Sequence, residues 1–220
     1  MDWTALRLSL ELAGWTVLVL LPLGILIARE LAWRPMRARP WLEALVALPL
    51  VLPPTVLGYY LLSAFGGATW LGSAYEALFD RSLAFSFQGL VFASMIFNLP
   101  FAVQPMQRAF ESIPREVREA AWVSGLSPRR TFWRIELPLA WPGIVSSAVL
   151  TVAHTVGEFG VVLMMGGNIP GETRTISIAI YDRVQAFDDR AAAAMSALLL
   201  AFSLVAIAIV YVITGRRARA

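Results

Sequence analysis

The sequence contains no cysteine and no lysine, and its single histidine is His154. The absence of cysteine excludes disulfides, thiolate metal ligands and a cysteine nucleophile. One histidine excludes an HExxH zinc site, and the chain contains neither a GxSxG nucleophile motif nor a GxxxxGK[ST] phosphate loop. The sequence therefore offers no set of residues for catalysis, for a metal site or for nucleotide binding.

Charged residues are also scarce. They make up 15% of the 220 residues, and 58% are hydrophobic, against roughly 45–50% in an average globular domain. A helix needs about 20 apolar residues to cross a bilayer. Five long runs contain no charged residue, except that the fourth contains Glu158. They are Leu12–Ala28, Ala44–Phe65, Ser82–Gln107, Leu137–Gly171 and Ala191–Gly215. We therefore predict an all-α, polytopic membrane protein with five transmembrane helices in one domain, residues 1–220.

The few charges are unevenly distributed. All 18 basic residues are arginines, and most of them lie in the first interhelix loop, the third interhelix loop and the C-terminal tail. Those in these three segments are Arg29, Arg34, Arg37, Arg39, Arg108, Arg115, Arg118, Arg129, Arg130, Arg134, Arg216, Arg217 and Arg219. Because short arginine-rich loops stay in the cytoplasm, we predict an external N-terminus and a cytoplasmic C-terminus.

The third loop, residues 111–140, is punctuated by proline and glycine. From Glu119 to Pro138 it reads EAAWVSGLSPRRTFWRIELP. Ser112 is suited to cap the N-terminus of a short helix with Pro114 in its first turn, and Gly125 is suited to end that helix in a left-handed conformation. These residues predict the first half of a cytoplasmic helix–turn–helix.

A second short helix follows in the same loop. Ser127 and Pro128 predict its start, and the pattern extends to about Ile135. The pair Leu137 and Pro138 is expected to end it and return the chain to the membrane.

One face of the first short helix is built from small residues. Val117, Ala120, Ala121 and Ser124 follow the spacing of a single helical face, which suits close docking into a cleft on a partner protein. Two other interpretations are an amphipathic loop lying on the membrane lipid and a basic patch contacting nucleic acid. Attachment to five membrane spans argues against nucleic acid as a partner.

The spacing of this loop resembles a known motif. It is similar to the coupling motif of binding-protein-dependent ABC-importer permeases. That motif consists of EAA, three residues, glycine, nine residues, isoleucine, one residue and Leu-Pro. Gly157–Gln185, with its GEFG turn and GGNIPGETRT, resembles the molybdate-transporter permeases of that methionine-importer-like class. Leu48–Leu62 resembles their proline-rich second core span, and the resemblance extends from about Leu8 to Ile213.

The resemblance implies one subunit of an ATP-driven importer in a bacterial inner membrane. A second copy of the chain, cytoplasmic ABC ATPase subunits and a periplasmic or lipid-anchored oxyanion-binding protein would be its partners, and no cofactor is implied. Molybdate is the implied substrate and tungstate the next. Permeases for tungstate and for sulfate or thiosulfate share much of this pattern and remain alternatives, and an integral-membrane enzyme or a passive channel is a more distant one.

The resemblance also assigns roles to residues. Those that match the ATPase-coupling motif are Glu119, Ala120, Ala121, Gly125, Ile135, Leu137 and Pro138. The family's usual arginine before GEFG is absent, since His154, Thr155 and Val156 precede Gly157.

Ionisable and helix-breaking residues within the spans suggest a pathway. Glu158, Gly157 and Gly160 are candidates for the pathway or a gate, because an acid in a span usually faces a cavity or a partner. For Glu158, protonation or a bond to the backbone of Gly157 or Gly160 is the alternative. Pro53 and Pro54 interrupt the second span, together with Pro49 and Gly58, and broken helices often line a route. Asn98, Pro100, Gln104 and Pro105 predict a similar interruption of the third span. His154 is spaced to share a face with Glu158, and an interhelical hydrogen bond is expected there rather than a metal site.

Two external segments complete the predictions. Residues 70–79 are expected to form a short interfacial helix. In the loop of residues 166–190, Asn168 and Arg174 are candidate contacts for the binding protein, with an Arg174–Glu172 pair as the alternative.

Overall fold

The computed structural model describes residues 1–215 and is helical throughout its regular structure. The helices are α1 (Trp3–Trp33), α2 (Arg39–Val51), α3 (Pro54–Phe65), α4 (Trp70–Phe79), α5 (Phe87–Glu111), α6 (Arg115–Val123), α7 (Pro128–Thr131), α8 (Leu137–Gly157), α9 (Gly160–Gly166), α10 (Ile176–Gln185) and α11 (Asp189–Gly215). Arg216, Arg217 and Arg219, which support the predicted topology, lie outside the described residues.

Four helices are long and apolar enough to cross a membrane: α1, α5, α11 and the continuous stretch Pro128–Gly157. Helices α2 and α3 pass the same test as a pair, with a bend of 110° at Leu52 and Pro53. The prediction of an all-α membrane fold is confirmed, and the five predicted spans correspond to these four helices and the bent pair. Pro49 lies inside α2, so the break comes only at the later prolines.

Helices α1, α5 and α8 pack together and form the centre of the fold. Ala28 and Leu31 of α1 contact Val103, Met106 and Phe110 of α5 in one buried cluster. Ala140 and Ile144 of α8 complete this cluster. Gly143 allows α8 to approach α5, because a Cβ atom there would overlap the Cβ of Ala109. This three-helix core carries both the loop of residues 111–140 and the broken helices.

The predicted interruption of the third span is wrong. Helix α5 runs without a break past Asn98, Pro100, Gln104 and Pro105. Each proline removes one backbone hydrogen bond, but α5 is packed against both α1 and α8 along this stretch, and tertiary packing outweighs the loss. The two prolines therefore mark no opening in this span.

The two segments that are predicted to be external both contain helices. Helix α4 has the predicted bounds, Trp70–Phe79, with Thr69 as its N-cap. The segment predicted as a loop, residues 166–190, contains α10, which buries Ile176, Ile178 and Ala179. The backbone N–H of Ile176 donates to the Ser9 hydroxyl of α1 at 2.8 Å, which anchors the start of α10 to the core.

Candidate coupling segment and translocation cavity

Helix α6 ends as its sequence predicts. Gly125 has a φ of 80°, in the left-handed region. The N–H of Leu126 donates to the carbonyl of Ala121, and the N–H of Gly125 donates to the carbonyl of Trp122. This pair of bonds is a Schellman motif, which a residue without a Cβ adopts at least cost. The helix stop at Gly125 therefore depends only on residues adjacent to it in the sequence.

The start of α6 differs from the prediction. Pro114, not Ser112, is the residue that precedes the first turn, and no side chain caps it. The Ser112 hydroxyl donates instead to the carbonyl of Ala109 and belongs to the end of α5. The reason is that α5 continues to Glu111, so that Ser112 is still in helical conformation and cannot act as an N-cap.

The small-residue face of α6 is only partly free. Val117, Ala120 and Ser124 are exposed, and we call these three residues the exposed face of α6. Ala121 is 7% exposed and is covered by this chain's own residues, so it does not belong to a free docking surface. Glu119 forms an ion pair with Arg115 at 3.1 Å on the outside of the same helix.

The second half of the loop is one continuous helix with α8. Ser127 caps α7 by accepting from the N–H of Arg130, as predicted, but Leu137 and Pro138 do not end the helix. A π-helical turn, Phe132–Glu136, joins α7 to α8. Proline has no N–H and crowds the carbonyl four residues before it, and the wider π turn accommodates that ring without a break. Ile135 and Leu137 are half-buried, and Pro138 is exposed.

Glu136 is a buried acid that the sequence interpretation missed. Its side chain is 1% exposed, and its carboxylate accepts from Arg29 Nε at 2.7 Å and from Arg118 Nε at 3.1 Å. It occupies the variable position between the isoleucine and the Leu-Pro of the motif. An acid at that position, with arginines nearby at the same membrane edge, was the available signal.

A cavity of about 500 Å³ brings together most of the predicted pathway residues. It lies where the α2–α3 break faces the end of α8. Its lining residues are Pro54, Thr55, Phe97, Ala153, His154, Gly157, Glu158, Phe159 and Gly160. Pro53 is exposed beside it but does not line it. The two helix breaks, in the second and fourth apolar runs, thus meet at one site.

Glu158 lies at a helix break rather than inside a helix. Helix α8 ends at Gly157, and α9 begins at Gly160. The Oε1 atom of Glu158 accepts from the N–H of Val161 at 3.1 Å, one of the N–H groups that the start of α9 leaves unpaired, and not from Gly157 or Gly160. Glu158 Oε2 is buried without a hydrogen-bond partner among the described residues.

His154 pairs with α5 and not with Glu158. Its Nδ1 lies 3.0 Å from Asn98 Oδ1, and its ring stacks on Phe101 with centroids 4.0 Å apart. The Asn98 amide nitrogen donates to the Ser94 carbonyl, which turns its oxygen toward the histidine. Nδ1 is therefore the protonated nitrogen. The predicted interhelical hydrogen bond is present, with a partner on another span.

The break is closely packed at one glycine. A Cβ atom on Gly160 would lie 2.7 Å from the Cβ of Pro54, the first residue of α3, whereas a Cβ on Gly157 would meet nothing within 4 Å. Gly160 is therefore one position of close contact between the fourth run and the second.

Asn168 and Arg174 form one polar cluster with Asp182 of α10. Arg174 Nε donates to Asn168 Oδ1 at 2.6 Å and lies 3.5 Å from Asp182 Oδ2. Asn168 Nδ2 in turn donates to Asp182 at 2.9 Å. The partner of Arg174 is thus Asp182 and not Glu172. Asn168 stays exposed and Arg174 half-exposed, so the cluster presents polar atoms on the outside.

The chain has relatives that match most of its length. It is 49% identical over 187 residues to the molybdenum transport system permease protein ModB of Azotobacter vinelandii, which covers 85% of this chain and 83% of that protein. It is 29% identical over 201 residues to the probable sulfate transport system permease protein cysT of Chlorella vulgaris, covering 91% and 75%.

A solved structure shares the fold. A bacterial ABC transporter involved in the import of the acidic polysaccharide alginate matches with a TM-score of 0.71 and 21% identity, covering 98% of this chain and 78% of that one. The model of the family "Binding-protein-dependent transport system inner membrane component" matches residues 21–219. Because this family model matches nine-tenths of the chain, the chain belongs to the binding-protein-dependent transport system inner membrane components.

Proposed function

We propose that this chain is the permease subunit of an ATP-driven importer for molybdate, with tungstate as a second substrate. The observation that carries the substrate assignment is the 49% identity to a molybdenum permease over most of both chains, against 29% to a sulfate permease. Sulfate or thiosulfate transport is the alternative, and the lower identity to the sulfate permease makes it the weaker one.

The exposed face of α6 is the proposed contact for a cytoplasmic ATPase. Val117, Ala120 and Ser124 are small or short side chains that permit close approach, and the Schellman turn at Gly125 holds the end of the helix. ATP hydrolysis belongs to that partner. The remaining motif residues Ile135, Leu137 and Pro138 act from within the helix, by carrying α6 and α7 on the membrane-spanning α8.

The cavity at the two helix breaks is proposed to form part of the translocation pathway. It opens on the surface of the single chain, and we expect a second copy to close it in a homodimer. Glu158, Gly157, Gly160 and Pro54 line it, and Pro53 sets the bend of the second run beside it. Asn168 and Arg174, on the opposite end of the molecule from α6, are the proposed contacts for a periplasmic or lipid-anchored binding protein.

Substrate identity is tested by uptake. Cells lacking this chain should lose uptake of labelled molybdate at low external concentration, and molybdoenzyme activity should return when external molybdate is high. Sulfate uptake in the same cells is the control and should not change. Loss of sulfate uptake with intact molybdate uptake would move the chain to the sulfate branch and leave its role as a permease standing.

Orientation in the bacterial inner membrane is a separate prediction. The arginines of the α1–α2 and α5–α8 connections favour a cytoplasmic location for both. A reporter fused after Ala220 should therefore be cytoplasmic, and one inserted near Gly167 should be external. Both reporters on the same side would contradict an odd number of spans.

A further inference from the structure

We propose that Glu136 is a positioning residue that fixes α6 to α1 and α8, so that a displacement of α6 moves both membrane helices. The inference rests on the proposed function, because it describes how the same coupling segment passes movement on. We call Glu136, Arg29 and Arg118 the carboxylate clamp.

The clamp joins three elements through one side chain. Oε2 of Glu136 accepts from Arg29 Nε at 2.7 Å, and Oε1 accepts from Arg118 Nε at 3.1 Å and from Arg29 Nη2 at 3.4 Å. Arg29 is on α1, Arg118 is on α6, and Glu136 is in the π turn that continues into α8. Arg29 and Glu136 are 107 residues apart in sequence, so the contact is purely tertiary.

Aromatic rings cover the clamp. The guanidinium of Arg118 lies 3.7 Å from the centre of the Trp33 ring, and that of Arg29 lies 5.3 Å from the Phe132 ring. Trp33 also packs edge-on against Phe110 of the central core. These rings cover part of both guanidinium groups while the Glu136 carboxylate is 1% exposed, and charge-assisted hydrogen bonds are stronger in such surroundings.

The clamp is also what ties α6 to the membrane helices electrostatically. Within residues 1–215, α6 makes two ion pairs, and the pair between Arg115 and Glu119 is exposed and stays inside the helix. The pair between Arg118 and Glu136 is buried and leads to α1 and α8. Movement of the exposed face of α6 therefore reaches the core through Arg118 and Glu136.

Stability and positioning are separable here. Removing one partner of a buried ion network leaves an unpaired charge and is strongly destabilising, whereas replacing all members by apolar side chains of similar volume is often neutral. The triple variant Arg29→Met, Arg118→Met, Glu136→Leu thus keeps a packed site but loses the directional bonds. Glu136→Gln keeps the shape and loses the charge.

The test uses the complete importer in proteoliposomes, with its ATPase subunits and molybdate-loaded binding protein. For the triple variant we expect bound ATPase subunits, continued ATP hydrolysis and a thermal midpoint close to the parent's. The molybdate transported per ATP hydrolysed should fall roughly 10-fold or more. Glu43→Gln is the matched control, since Glu43 also accepts from an arginine and a second donor, Arg39 and Gln107, but does not touch α6.

A second readout does not depend on the triple variant folding well. In Glu136→Gln, backbone amides of residues 115–123 should exchange with deuterium faster than in the parent complex, whereas Glu43→Gln should leave them unchanged. Parent-like transport per ATP in the triple variant, or unchanged exchange in Glu136→Gln, would overturn the inference. Loss of the bound ATPase subunits would also overturn it, by making these residues part of the docking contact. Failure of docking itself is seen separately, in Ala120→Trp.

Discussion

Ala120→Trp should abolish the stimulation of ATP hydrolysis by loaded binding protein while leaving membrane insertion intact. Ala120 is exposed in the single chain, so a large side chain disturbs no internal packing there. In a close contact with a partner the added ring overpacks the interface, at a cost of about 1–3 kcal/mol, which weakens association roughly 5- to 150-fold. The measurement is ATPase activity of the purified complex with and without binding protein.

Two further variants serve as comparisons for Ala120→Trp. Ala120→Ser keeps the side chain small and should retain full stimulation. Gly125→Val should lose it by another route, because a β-branched residue is strained at a φ of 80° and distorts the end of α6. A stimulated ATPase in Ala120→Trp would remove the exposed face of α6 as the docking surface. Ala121→Trp is not an equivalent test, because Ala121 is buried in its own chain.

Gly160→Val should reduce molybdate uptake roughly 10-fold or more at equal protein in the membrane. Its Cβ would lie 2.7 Å from the Cβ of Pro54, which is fixed to the backbone by the proline ring and cannot move aside as the end of a flexible side chain can. Overpacking of this kind costs about 1–3 kcal/mol. The two helix breaks would then be pushed apart at the cavity.

Gly14→Val is the control for this change. Gly14 lies in another membrane helix, α1, and a Cβ there meets nothing within 4 Å, so uptake should be close to that of the parent. Uptake by proteoliposomes with reconstituted permease amounts matched is the measurement. If Gly160→Val transports as well as Gly14→Val, the contact between the second and fourth runs is not needed for transport.

Features set by neighbouring residues could be predicted from the sequence. The helix stop at Gly125, the cap at Ser127 and the bounds of α4 depend on a few adjacent residues, and all three agree with the structure. The five apolar runs likewise required only composition and length. The break between Gly157 and Gly160 was not predicted from composition, because Leu137–Gly171 is one apolar run with Glu158 inside it; only the family resemblance named a turn at Gly-Glu-Phe-Gly.

Features that depend on residues distant in sequence could not be predicted. Helical spacing groups Ala120 with Ala121 but does not say which side the rest of the chain covers. Proline lowers helix stability at Pro105 and Pro138 alike, yet packing in one case and a π turn in the other keep the helix continuous. The partners of Glu136 and His154 lie on other helices, and no local pattern pairs them.

Because Pro128–Gly157 is one continuous helix, its length determines how far one end moves when the helix tilts. Its 30 residues, at 1.5 Å each, make a rod about 45 Å long from α7 to the edge of the cavity. If such a rod tilts by about 10° around one end, the other end travels roughly 8 Å, more than the width of one water molecule. A small rotation at α7 would therefore displace Gly157, at the edge of the proposed pathway, by more than the width of a water molecule if the rod stayed straight.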